Sequence, residues 1–391
     1  MTNEKTIDIN IIDINKIPDE INNLLDSKFE AVEQTDIGDE VFKTKPIGFF
    51  KDAVLRLNKN VVSMFALAFI IAIILMAVFG PNINDYSYVE QNLELRNMPP
   101  RIPGLEKLGI ADGRKMLNLR QLANVRNPEL FPPGCIIEIR NERMIAGVPV
   151  VDVVVNYYKY IGAHDVYYWF GSDYLGRDLF TRLFRGARIS LFIAFFSVLT
   201  NLVIGIIYGA VAGYYGGKVD MVLMRIAEVL EGIPYLVVIM LFMMLLGTGI
   251  LSLIIAMTIT GWIGTARLIR AQFYRFKGRE YVLAARTLGV PDMLLIFRHI
   301  LPNSLGPIIT RTMIAIPGAI FSEAFLAYIG LGLQAPETSI GVLLSDGQKV
   351  LLQSPYQTFF PAVLISVLMI SFNLFANGLR DALDPTKRGV D

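Results

Sequence analysis

The chain has 391 residues, of which 53% are hydrophobic and only 18% are charged, and its mean hydropathy is +0.49. A soluble domain carries about a quarter charged residues, so this composition excludes an ordinary soluble protein and indicates an integral membrane protein. One cysteine and two histidines exclude an intramolecular disulfide and a cysteine-based metal cluster. The net charge of +1 identifies no partner, because membrane proteins segregate their charges by side.

The beginning of the chain is polar and has no apolar signal-peptide segment, so residues 1–60 are predicted to form a cytoplasmic tail. Residues 61–80 are uncharged and apolar over a spanning length, and they predict the first transmembrane helix. Lys51, Arg56 and Lys59 precede this run. Such cations place the start of a span on the cytoplasmic side.

Residues 81–188 form a long polar insertion that lies outside the cell if the first span crosses the membrane. Alternating β-branched residues between Cys135 and Tyr160 predict two strands joined by a turn at residues 141–143. We therefore expect a small extracellular α/β domain. Cys135 is interpreted as a buried apolar residue, with a reactive thiol as the alternative. His164 is interpreted as structural, because no second histidine or cysteine lies near it.

The end of the insertion has arginines at helical spacing among Leu179, Phe180, Leu183 and Phe184. This pattern predicts an amphipathic helix on the membrane surface, whose guanidinium groups bind lipid phosphates. The arginines are Arg177, Arg182, Arg185 and Arg188.

Five further apolar runs of spanning length follow, and six crossings in total return the C-terminus to the cytoplasm. The predicted spans are 189–214, 221–247, 249–266, 305–333 and 358–378. Residues 189–381 thus form a five-span core, and residues 382–391 form a cytoplasmic tail. The predicted fold is an all-α integral membrane protein with one N-terminal span, the insertion and this core.

A polar interruption at residues 280–303, which we call the coupling stretch, separates two of these spans. Helix formers fill its first nine residues, and Gly289 predicts a C-cap. A second helix is predicted to open at Asp292 and to close at Pro302. Cations exceed acids here and just before it, which favours the cytoplasmic side. A rigid knob with small alanine faces is suited to docking against another protein.

The coupling stretch resembles the "EAA" loop of the membrane subunits of ATP-binding-cassette importers, with Leu283 in place of the usual glutamate. Four further segments resemble the dipeptide and oligopeptide branch of that family, namely 171–191 (GSDYLGRDLFTRLFRGARISL), 261–272 (GWIGTARLIRAQ), 328–347 and 378–388. The resemblance is to the second, "C"-type, membrane subunit and implies a type I importer permease core. It also implies a coupling loop at 267–303 that contacts an ATPase. The implied contact residues are Glu280, Ala284, Ala285, Arg286, Leu288 and Gly289.

The resemblance further implies a multi-pass protein of the cell membrane with both termini cytoplasmic, acting in peptide import. Its implied partners are a second homologous permease, two ATPase subunits, an extracellular peptide-binding protein and membrane lipid, without nucleic acid. No phosphate-binding loop is present in the sequence, so we expect ATP and Mg on the ATPase subunits and no catalytic residue, cofactor or metal on this chain. Nickel and other substrates of the branch remain alternatives to peptides. The insertion is expected to dock the binding protein or guide substrate, with bracing of the partner permease as the alternative.

Polar residues inside predicted spans are functional candidates because burying them in lipid is costly. Glu323 either faces the translocation path or forms structural hydrogen bonds between helices. Glu228 and Glu231 either line the inner mouth of the path or form an exposed face. Asn373 either lines the path or bonds a neighbouring helix. An ion-coupled transporter or channel using Glu323 is the alternative function, and a receptor using the insertion is a third.

Overall fold

The computed structural model describes residues 48–384, without the side chains of Phe49 and Phe50. Most of the predicted N-terminal tail and the residues after Asp384 lie outside the described part. The predicted tail ends in a helix that was not predicted from the sequence. It runs over Phe49–Lys59 and is followed by the first apolar helix, Val61–Phe79.

The membrane part is built from helices, because a backbone in lipid must satisfy its own hydrogen bonds. Within residues 48–384, four helical segments are long and apolar enough to cross a membrane, or up to six if each of two bent pairs is one span. The main helices are α1 (Phe49–Lys59), α2 (Val61–Phe79), α3 (Leu179–Tyr215), α4 (Gly217–Glu231), α5 (Tyr235–Leu246), α6 (Ile250–Gly261), α7 (Ile263–Phe276), α8 (Glu280–Thr287), α9 (Leu305–Leu326), α10 (Ile340–Lys349) and α11 (Tyr356–Leu383). The predicted helical membrane fold with a small sheet-containing insertion is confirmed.

Helix α3 is the longest element, with 37 residues. It includes the predicted amphipathic segment, so that segment and the span behind it form one continuous helix. Gly205, Gly209 and Gly213 face α7, where an added Cβ atom would collide with Thr265, Ala266 and Phe273 respectively. The missing side chains therefore let the two backbones approach closely, as small residues do at helix interfaces in membranes.

The predicted span 221–247 is a bent pair, because α4 and α5 meet at an angle of 80°. Pro234 caps α5 with a φ of −55° and a ψ of 124°, which lie outside the helical region, and α4 ends just before it at Glu231. The next pair, α6 and α7, is bent by 42°.

The predicted end of the second coupling helix at Pro302 is wrong. A short helix, Asp292–Leu294, continues through a π-helical turn, Leu295–Ile300, and a 3-10 turn, Pro302–Ser304, into α9. The Leu301 N–H donates to the Ile296 carbonyl group, five residues back. We attribute the continuity to this widened turn, since local π and 3-10 adjustments accommodate a proline in a membrane helix.

The insertion contains a three-stranded antiparallel sheet in the order β1-β3-β2. The strands are β1 (Arg114–Gln121), β2 (Ile136–Ile145) and β3 (Val148–Asn156), and β1 was not predicted. The predicted turn at residues 141–143 is wrong. Ala146 and Gly147 form the turn, and Asn141 lies in an irregularity of β2, where the register shifts and φ is +51°. Cys135 is fully buried in the domain core, as expected.

Short helical turns connect these elements. They are the α-helices Leu122–Val125 and Tyr157–Ile161, the 3-10 turns Gly80–Asn82, Leu93–Leu95 and Leu105–Leu108, and the π-helical turn Ala327–Leu331. Helix α10 lies between the last two apolar helices and was not predicted as a separate element. Its N-cap is Ser339, whose side chain accepts from the Val342 N–H.

Candidate functional site

The coupling stretch is anchored to the membrane helices by its apolar side. Val282 and Ala285 of α8 are buried, as is Leu295 behind them. They share one hydrophobic cluster with Ile269 and Phe273 of α7. Burying an aliphatic or aromatic side chain contributes about 1.5–3 kcal/mol. The coupling stretch is therefore packed against α7.

The opposite side of the stretch is exposed and apolar. Leu288 is 84% exposed and Met293 is 64% exposed, and Leu283, Ala284 and Leu294 are exposed beside them. Such a contiguous apolar surface on a fixed element is typical of a protein interaction site. Two of the predicted contact residues, Ala284 and Leu288, lie on this side, whereas Ala285 packs inward.

The remaining predicted contact residues define the ends of α8. Glu280 is its first residue, where a carboxylate is stabilised by the positive end of the helix dipole. Gly289 follows the C-cap with a φ of +79°, a left-handed conformation that favours glycine. Its N–H donates to the Arg286 carbonyl group, and the Val290 N–H donates to that of Ala285. The glycine thus sets the turn that presents Leu288 and Met293 together.

Polar contacts join the stretch to the end of α3. The Tyr214 hydroxyl group donates to Asp292 Oδ1 and accepts from Arg286 Nη2. Lys277, just before α8, donates to the Gly213 carbonyl group at 2.9 Å. Burial there lowers the pKa of the Lys277 ammonium group. Tyr214 was not predicted as a site residue, since a tyrosine at the end of an apolar run carries no sign of its distant partners.

A second polar contact that was not predicted from the sequence joins α4 and α7. Asp220 of α4 forms an ion pair with Arg270 of α7, and the Tyr274 hydroxyl group donates to the same carboxylate at 2.9 Å. Arg270 lies in the basic run that preceded the coupling stretch in the sequence, where no acidic neighbour was visible. Its partner is 50 residues earlier in the chain.

The predicted membrane-surface role is wrong for Arg177 and Arg182, because each is only 2% exposed. Both guanidinium groups bind the buried carboxylate of Asp173. A pair of charges this deeply buried needs an opposite charge, and the local acid supplies it where lipid phosphate was expected.

The other two arginines at this end of α3 also have protein partners. Arg185 pairs with Glu337 at 3.3 Å. Arg188 donates to the carbonyl groups of Ala77 and Val78 at the end of α2. The four arginines at this end of α3 therefore bind neighbouring segments of the protein.

The predicted path residues are not joined by any hydrogen bond or ion pair within residues 48–384. Glu323 is completely buried and accepts from Ser190 Oγ at 2.7 Å, which links α9 to α3. Glu228 pairs with Arg225 on an exposed face, and Glu231 pairs with Arg267 at 3.0 Å. The contacts favour the structural interpretation of Glu323 and the exposed-face interpretation of Glu228.

Asn373, the fourth predicted path residue, is exposed and donates to the Met369 carbonyl group of its own helix. Its side chain bonds no neighbouring helix in the described part of the chain. Residues 48–384 contain no group of three or more His, Cys, Asp or Glu side chains placed to hold a metal ion. His164 is exposed.

Comparison with known sequences identifies two family models. Residues 202–389 match the binding-protein-dependent transport system inner membrane component, and residues 48–100 match the N-terminal transmembrane domain of oligopeptide transport permease C. The dipeptide transport system permease protein DppC of Bacillus subtilis (strain 168) is 37% identical over 372 residues, covering 95% of this chain and 96% of that protein. The oligopeptide transport system permease protein OppC of the same organism is 38% identical, covering 89% and 93% respectively.

Proposed function

The chain belongs to the family of inner-membrane components of binding-protein-dependent transport systems, the permease subunits of ATP-binding-cassette importers, and from this premise we propose that it imports peptides. It is a multi-pass membrane permease and not an enzyme, since ATP hydrolysis in this family is carried out by separate subunits. The proposed partners are a second permease, two ATPase subunits with their ATP and Mg, and an extracellular binding protein. Both termini are then cytoplasmic.

The observation that carries the proposal is the coupling stretch, which is buried on one side and apolar and exposed on the other. A surface that is packed against the membrane helices can transmit a movement of the ATPase to them. A loose loop would instead change its own conformation. The proposed ATPase contact consists of Ala284, Leu288 and Met293, with Gly289 holding their relative geometry. Leu283 adds apolar area at the place where the family loop has glutamate.

Helix α3 is proposed to transmit this movement through the membrane part of the protein. Its inner end bonds both halves of the coupling stretch through Tyr214, and its outer end is locked by Asp173. Between them its glycines pack directly against α7. A displacement of the stretch would then move α3 and α7 together, which is the rigid-body motion that alternating access requires.

Site-directed cross-linking tests the contact with the ATPase. The single native cysteine, Cys135, is fully buried, so an introduced cysteine can be labelled selectively. We expect Leu288→Cys in the assembled transporter to cross-link to an ATPase subunit. Leu108→Cys, which is also highly exposed but lies in the insertion, is the matched control and should not. Assembly of a transporter in which neither Leu288→Cys nor Met293→Cys cross-links would contradict the proposal.

Peptide import is tested separately in a strain from which this chain has been deleted. Uptake of labelled dipeptides and longer peptides should be lost on deletion and restored by the chain. Restoration of nickel uptake without peptide uptake would assign another substrate of the branch. We propose that the insertion docks the binding protein, which predicts cross-linking from Leu108→Cys to that protein and not to the other permease.

The ion-coupled alternative depends on Glu323. Its burial and its bond to Ser190 support a structural role in the α3–α9 contact. Glu323→Gln retains the shape and the hydrogen-bonding ability of the side chain, so uptake should stay within about twofold of wild type. Loss of uptake in this variant with an intact complex would support the ion site instead.

A further inference from the structure

Three arginines from three different helices line a cavity of about 420 Å³ at the ends of α7, α9 and α11. They are Arg275, Arg311 and Arg380. Asp384 is the one acidic residue in the lining. Within residues 48–384, none of these three guanidinium groups has a hydrogen bond or an ion pair. This set differs from the arginines of α3, which all have protein partners.

Most of the rest of the lining is apolar, and the hydroxyl group of its one uncharged polar side chain, Thr310, donates to the Gly306 carbonyl group. Leu268, Pro307, Ile314 and Leu383 form most of the remaining wall. Gly306 lies directly against Leu383, so α9 and α11 touch at the base of the cavity. A cavity with cations on three helices and mostly apolar walls fits a ligand that has an anionic head and a hydrocarbon part.

The contact between α2 and α11 indicates the level of the cavity across the membrane. Ser63, in the first turn of α2, donates to the Leu374 carbonyl group and lies against Gly378. The cavity residues of α11 come after Gly378. Arg56 of α1, which precedes the first apolar residue of α2, donates to the Asp384 carbonyl group. The arginines therefore lie where the apolar span begins, which is the level of lipid headgroups.

We propose that this cavity binds the phosphate headgroup of an anionic phospholipid from the leaflet next to the coupling stretch. The three guanidinium groups would bind the phosphate oxygens, since arginine pairs with phosphate in a bidentate manner. The apolar wall would hold the upper part of the acyl chains. Basic pockets between transmembrane helices bind anionic lipid headgroups in this way.

Native mass spectrometry of the intact transporter, purified in mild detergent, tests the site with phosphatidylglycerol and phosphatidylcholine as probes. We expect preferential retention of phosphatidylglycerol, and roughly a tenfold loss of that preference in Arg311→Gln/Arg380→Gln. The control is Arg126→Gln, at an exposed arginine of the insertion, which should bind as wild type. If the double variant does not assemble, Arg275→Gln serves instead, with an expected loss of roughly threefold.

Competition identifies the source of the phosphate. Millimolar inorganic phosphate should leave phosphatidylglycerol bound, because it lacks the acyl chains. Displacement by phosphate would overturn the lipid assignment in favour of a free-anion site, and displacement by a peptide would overturn it in favour of a substrate site. Equal retention of the two lipids, or an unchanged preference in the variant examined, would also overturn it.

Discussion

The Tyr214 hydroxyl group donates a hydrogen bond to the Asp292 carboxylate over a distance of 2.5 Å. Arg286 donates to the same hydroxyl group over 3.2 Å. One side chain at the end of the longest helix thus contacts both halves of the coupling stretch. Tyr214 is 6% exposed, whereas Asp292 and Arg286 lie on the exposed side of the contact.

Replacing Tyr214 with phenylalanine removes both bonds and leaves the ring in place. We expect the transporter to be destabilised by only about 0.5–1.5 kcal/mol, because the exposed Asp292 and Arg286 side chains can bond to water when they lose this partner. Uptake should fall more than ATP hydrolysis, since the link between stretch and helix is weakened. Tyr215→Phe, at the exposed neighbouring ring, is the control. Equal uptake by the two variants would contradict a role for Tyr214 in coupling.

Gly209 allows α3 to approach α7, and even a methyl group there would collide with the Ala266 carbonyl group. We expect Gly209→Ala to destabilise the protein by about 1–3 kcal/mol through the forced separation of the two backbones. Thermal unfolding in detergent measures this. Gly318→Ala is the matched control, because nothing lies within 4 Å of that Cβ position. Gly318→Ala should be neutral or stabilising by up to about 1 kcal/mol.

Asp173 is the buried acid between Arg177 and Arg182. Asp173→Asn removes the negative charge that both buried guanidinium groups contact. We expect a loss of stability on the order of 3–5 kcal/mol. Asp165→Asn, at an exposed aspartate of the same insertion, should leave stability unchanged. A melting temperature for Asp173→Asn equal to that of the control would show that the arginines have another counter-charge.

Lys115 lies in strand β1 with its ammonium group 2.9 Å from the Asn97 carbonyl oxygen and 4.1 Å from the centre of the Tyr157 ring. Burial, with a smaller contribution from Arg96, lowers its pKa from 10.5 to about 8. Between these two values the unfolded chain binds more protons than the folded one. The contribution of Lys115 to stability therefore rises with pH from about 8 to 10.5.

Acylation of amines at a series of pH values, read by peptide mass spectrometry, measures this pKa directly. The labelling of Lys115 should have its midpoint near pH 8. The exposed Lys107 in the same domain reports on reagent quality and sample integrity. A midpoint for Lys115 near 10.5 would show that burial does not perturb the group.

The insertion shows where local patterns are insufficient. Alternating β-branched residues correctly predict strands after Cys135, but Asn141 and its polar neighbours predict the turn at the wrong place. A polar residue with positive φ fits a bulge as well as a turn, and the pairing of β2 with β3 decides between them. Strand β1, with its lysine and arginines, has no clear alternation, so only its pairing with β3 identifies it.

Hydrophobic length and helix-ending residues such as Gly289 act locally along the chain, so the amino-acid sequence is enough to predict the membrane class, the apolar helices and the position of the coupling stretch. The exposure of the charged side chains is visible only in the folded protein. Arg177 and Arg182 have the spacing of a surface helix, yet both bind Asp173 inside the protein. Arg270 and Tyr214 likewise meet Asp220 and Asp292 across 50 and 78 residues. Burial and pairing of charges depend on contacts between distant segments, and no local pattern contains them.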